Sequence, residues 1–78
     1  MNNKFTDFPQ YRMLSNGKTY YKITSERHFE EIQRSGTKLF RYSTEAVQYP
    51  EILKIKDMLE LSDDSYIAIS EAEWLSIQ

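Results

Sequence analysis

The sequence predicts an α+β fold: a two-layer sandwich ordered β-β-α-β-α-β-α, with helices packed on one face of a small, mainly antiparallel sheet. Three observations carry that expectation. Asn16-Gly17 divides two stretches rich in strand-forming residues, which is a hairpin signal. Ile52, Ile55, Met58 and Leu59 recur at helical spacing behind Pro50. Ser70 and Glu73 form a capping box that opens the last segment.

The first hairpin joins Tyr11–Leu14 to Lys18–Ile23. A two-residue loop would pair Met13 with Tyr20 and mix charge with hydrophobe on both faces. A three-residue loop bulged at Gly17 pairs Tyr11 with Tyr21 instead, and puts Tyr11, Met13, Tyr21 and Ile23 on one buried face. Arg12, Leu14, Lys18, Tyr20 and Lys22 then share the outward face. For a sheet covered on one side, the bulged register gives the cleaner partition, and it is the one expected.

Thr24 and Ser25 can cap a helix through Glu26 to about Ser35, with a thin stripe of Phe29 and Ile32 and a left-handed stop at Gly36. Thr37–Ser43 then alternates, Phe40 and Tyr42 on one side and Leu39 and Arg41 on the other, as a half-buried strand does. Pro50 suits the first turn of a second helix, which Ser62-Asp63-Asp64 ends. Tyr66–Ile69 is a short strand. In the final helix, Ile69 and Trp74 occupy the two positions of a hydrophobic staple, so the segment is expected to dock through Trp74, Leu75 or Ile77.

With 78 residues the chain has room for one core, expected over 9–78, behind a flexible arm of residues 1–8 whose Phe8 can tuck against it. Hydrophobic residues at 40% and charged residues at 28% describe a chain that folds. The absence of Cys removes disulfides, thiolate metal sites and thiol nucleophiles together, which points to a cytoplasmic setting. No apolar run approaches the roughly 18 residues of a membrane span, and the first nine residues lack the apolar stretch of a signal peptide, so no membrane partner is expected. The net charge of −2 is unevenly spread, +3 over residues 1–39 and −5 over residues 40–78. That asymmetry suits folding and solubility, an anionic partner at one end, or head-to-tail association.

His28 is the single imidazole, so no triad or His-based metal set can be built within one chain. No phosphate loop, nucleophile elbow or dinucleotide fingerprint is present. Asp57, Glu60, Asp63 and Asp64 form the densest acidic group, but their spacing matches no EF-hand loop, and turn-forming side chains account for it. Neither a catalytic residue, a metal nor a cofactor is assigned. The candidate binding face is Arg12, Lys18, Tyr20, Lys22 and Arg41, cations beside an exposed ring on the outward side of the sheet. The expected function is therefore a small, non-catalytic interaction or accessory module, acting on a protein partner or on itself through the hairpin face or the C-terminal segment. The alternative is nucleic-acid binding through the basic-aromatic face.

Overall fold

The computed structural model describes residues 8–61 and 64–77. It is an α+β fold with five strands and two helices among those residues. The strands are β1 (Gln10–Leu14), β2 (Thr19–Ser25), β3 (His28–Ser35), β4 (Lys38–Glu45) and β5 (Tyr66–Ile69). The helices are α1 (Tyr49–Glu60), between β4 and β5, and α2 (Glu71–Ser76), after β5. All strands pair antiparallel in the order β4-β3-β2-β1-β5, so four of them form a meander that β5 extends beyond β1.

The expected helix over Glu26–Ser35 is instead β3. Its stripe of Phe29 and Ile32 is real, but the two side chains point to opposite faces of the sheet and both are buried, at 3% and 2% exposure. Strand geometry turns an i, i+3 pair into one residue per face. Gly36 does adopt positive φ, 61°, but as the first residue of a two-residue loop between the paired Ser35 and Lys38, where a type II′ turn requires it. Glu26 and Arg27 likewise become the short connection between β2 and β3, braced where Arg27 N–H donates to Ser25 Oγ at 3.1 Å. The order is thus β-β-β-β-α-β-α.

The expected bulged register of the first hairpin is also corrected. Met13 pairs with Tyr20 and Arg12 with Tyr21, so Tyr20 is buried and Arg12 lies on the face of Tyr21. Gly17 is in the left-handed region, φ 74°, and donates its N–H to Leu14 O at 2.8 Å, but Ser15–Lys18 together form the loop, which keeps the parity of a two-residue connection. The mixed faces rejected on sequence grounds are stable because both are covered.

That double cover replaces the expected two layers. On one face Tyr21, Ile23 and Phe29 pack under Ile55, Met58 and Leu59 of α1, with Phe8, Leu14 and Tyr66 at the margin. On the other face Tyr11, Tyr20 and Ile32 pack under Trp74 of α2, with Met13, Ile69 and Ile77 around them. Central strands of such a sheet must present apolar groups alternately to both sides, which erases the simple in-out pattern. Burying both faces gives a chain of this size more apolar area removed from water than a one-sided sheet would.

Both helices start where local chemistry predicts. Pro50 lies in the first turn of α1, and Glu51 accepts from the N–H groups of Val47 and Gln48 at 3.2 and 3.3 Å. In α2, Ser70 Oγ accepts from Glu73 N–H at 3.1 Å and the Glu73 carboxylate faces Ser70 N–H. With six residues α2 is too short to persist alone, and Trp74, 3% exposed with its ring 6.0 Å from that of Tyr11, holds it to the sheet. Phe8 packs against the core as expected, while the rest of the arm lies outside the described residues. No helix among the described residues is long and apolar enough to cross a membrane.

Candidate functional site

The five residues expected to form one basic face are divided by the sheet. Arg12 is 7% exposed on the α1 side, where its guanidinium donates to Met58 O at 2.7 Å, Tyr11 O at 2.7 Å and Gln10 Oε1 at 2.6 Å. Tyr20 is buried on the α2 side, with Arg34 5.6 Å from its ring centre and donating to its hydroxyl at 3.1 Å. Lys18 sits in the first hairpin loop, its N–H held by Asn16 Oδ1 at 2.8 Å. Lys22 and Arg41 do share the α2 side, but Lys22 stands directly across from Glu30 on β3. A continuous cationic surface is therefore absent from these five positions, because the pairing of Arg12 with Tyr21 places Arg12 on the α1 side and buries it.

The C-terminal segment is likewise committed to packing through Trp74, with Leu75 left outward. His28 lies between hydroxyls: Nδ1 is 2.6 Å from Thr24 Oγ1 and Nε2 is 2.8 Å from Ser43 Oγ. The ring ties β2, β3 and β4 together at the end of the sheet where β2 is bulged. Among the described residues no group of three or more carboxylates and imidazoles is placed to hold a metal ion, and Asp63 lies outside those residues. A cleft of about 190 Å³ runs between Trp74 and β3–β4 on the α2 side, lined by Glu30, Ile32, Arg41 and Ser43 among others. It is smaller than the usual small-molecule site of about 300 Å³ or more.

The feature that stands apart is β4. Seven of its eight residues are exposed, and Leu39, Phe40 and Tyr42 are open to solvent at 38%, 44% and 50%. Phe40 and Tyr42 face the α1 side and Leu39 the α2 side, so neither helix reaches across this strand. It is also the terminal strand of the sheet. Ser35 and Lys38 flank a two-residue loop and so exchange both backbone hydrogen bonds. Alternation from that pair directs the peptide groups of Phe40, Tyr42 and Thr44 toward β3 and those of Leu39, Arg41, Ser43 and Glu45 outward. The bond from Ala46 N–H to Arg27 O, 2.6 Å, continues the same alternation.

Sequence reasoning found the two faces of this strand correctly and missed its position. Composition does not mark it as the edge: β3 carries Phe29 and Ile32, and β4 carries Leu39, Phe40 and Tyr42, so its exposure follows from strand order. No protein-family model matches the chain, and comparison with curated proteins and with solved structures returned no match.

Proposed function

We propose that the chain is a small, non-catalytic cytoplasmic interaction module that binds protein through the open edge and uncovered faces of β4. The observation that supports this reading is the coincidence of a terminal strand, whose outer edge pairs with no other strand among the described residues, with three exposed large apolar side chains. A strand in that state is a template: an added strand gains main-chain hydrogen bonds, and the flanking rings supply apolar contact on the α1 side. The basic-aromatic alternative draws less support, since Arg12 is enclosed and Lys22 faces Glu30.

Affinity capture from cells with the wild-type chain and with Arg41→Pro tests the reading. The substitution removes an outward N–H and leaves the bonds to β3 in place, as proline on an edge strand allows. Protein retained by the wild type and lost by the variant is the expected result. Equal capture by both, or recovery of nucleic acid in place of protein, contradicts it.

A further inference from the structure

We infer that Ser43 is a nucleophile activated by His28, placed to take the acyl group of a small activated ester or thioester. The inference is separate from β4 as an interaction edge: it concerns one transfer onto the chain rather than turnover. It begins with the placement of one proton. Thr24 Oγ1 lies 2.6 Å from His28 Nδ1 and 3.3 Å from the backbone carbonyl oxygen of His28. A hydroxyl carries a single proton, so both contacts are hydrogen bonds only if Thr24 donates to the carbonyl and accepts from Nδ1–H. The imidazole is then the Nδ1–H tautomer, and its Nε2 lone pair faces Ser43 Oγ at 2.8 Å. The Ser43 hydroxyl therefore donates to a ring that is held from its far side, which is the relation a serine nucleophile has to its base.

The surroundings suit the step. Ser43 is exposed and His28 half-buried, so the hydroxyl is reachable while the ring is anchored. Glu45 stands directly across from His28 and shares its face of the sheet, which sets a carboxylate beside the imidazolium that forms. Ser43 also lines the cleft of about 190 Å³ with Ile32 and Trp74, a volume suited to a small acyl group. Its own N–H points outward from the edge strand and is a donor for the developing oxyanion. In the transfer, Oγ bonds to the carbonyl carbon as the bond from that carbon to the leaving oxygen or sulfur breaks. The Oγ proton passes to Nε2 and from there to the leaving group, with no change of oxidation state. Thr24 is neutral where a serine triad has a carboxylate, so the acceleration is set at about tenfold, below the usual range for a general base.

A small dialkyl fluorophosphate tests this, since phosphorus takes the place of the acyl carbon and fluoride leaves. Peptide mass spectrometry should find one phosphoryl adduct at Ser43 in the folded chain and none there in the urea-unfolded chain. Ser43→Ala should lose the adduct, and His28→Gln should slow its formation about tenfold. Long-range proton–nitrogen NMR of the wild type should place the ring proton of His28 on Nδ1, a readout that needs no variant to fold. Thr24→Val, which keeps the side-chain shape and removes the acceptor, should shift that proton toward Nε2 and slow the labelling. No adduct on the folded wild type, an adduct on tyrosine in place of Ser43, an equal rate in His28→Gln, or a wild-type ring proton on Nε2 overturns the inference.

Discussion

Arg12 Nε on β1 donates to Met58 O near the end of α1 at 2.7 Å, joining residues 46 positions apart. The last four carbonyls of a helix lack intrahelical donors and carry the negative end of its dipole. Leu61, left-handed at φ 53°, returns its N–H to Asp57 O at 3.0 Å, and Arg12 serves Met58 O. The last turn of α1 holds no basic residue of its own, so the sheet supplies the cation. Burial lowers the pKa of the guanidinium, yet such a group stays charged at neutral pH.

Arg12→Met should therefore cost about 2 kcal/mol, because it strands a buried carbonyl acceptor, and Arg12→Lys should not restore it, since an ammonium cannot reproduce the fork that reaches Met58, Tyr11 and Gln10 together. Urea unfolding of both variants checks this. A midpoint unchanged from wild type would show that the guanidinium is only incidentally enclosed.

Trp74→Ala should cost about 3 kcal/mol or more, since it removes the one buried residue of α2 and uncovers Tyr11, Tyr20 and Ile32. Trp74 is also the chain's single tryptophan, so its emission should be blue-shifted in the native protein and move red in one step with unfolding. Native emission at the wavelength of a solvated indole would place α2 off the sheet.

Ser70→Ala should destabilise by about 1 kcal/mol, through loss of the acceptor for Glu73 N–H, and Ser70→Asp should recover most of it. Thermal melts of the two variants distinguish this from a general surface effect, which would leave both alike.

Burial and the proximity of Glu31 and Tyr66 raise the pKa of Tyr21 above its ordinary value of 10.0, and burial with Glu71 nearby raises that of Tyr11. A phenol whose folded pKa is raised binds its proton more tightly when folded. The associated stability is fully present below pH 10.0 and is lost as pH climbs through the folded values. Phenolate absorbance from these two rings should appear together with loss of ellipticity in an alkaline titration. Tyr21→Phe should shift that unfolding to higher pH, and an unshifted transition would contradict the assignment.

Much of the fold was legible where one local rule governed the outcome. Pro50 with its following apolar stripe gave α1, Ser70 and Glu73 gave the start of α2, and Tyr66–Ile69 matches β5 residue for residue. The rules failed where burial on two faces mattered. Phe29 and Ile32 look like a helical stripe only if both must point one way, and Met13 opposite Tyr20 looks wrong only if one face of the sheet is wet. In the structure α1 takes Phe29 and α2 takes Ile32 and Tyr20. The cover on the second face comes from Trp74 on a six-residue helix, too small a pattern to announce a layer. The same misjudgement assembled Arg12 and Tyr20 into one binding face, and it made β4 half-buried, although strand order leaves it exposed.

Residue-resolved amide hydrogen exchange across β4, measured by NMR on the chain alone and with a protein captured by it, reads the proposed interaction edge itself. Phe40, Tyr42 and Thr44, bonded to β3, should be protected in both states, while Leu39, Ser43 and Glu45 should gain protection when the captured protein is bound. Unchanged exchange of those three amides on binding would contradict β4 as the interaction edge.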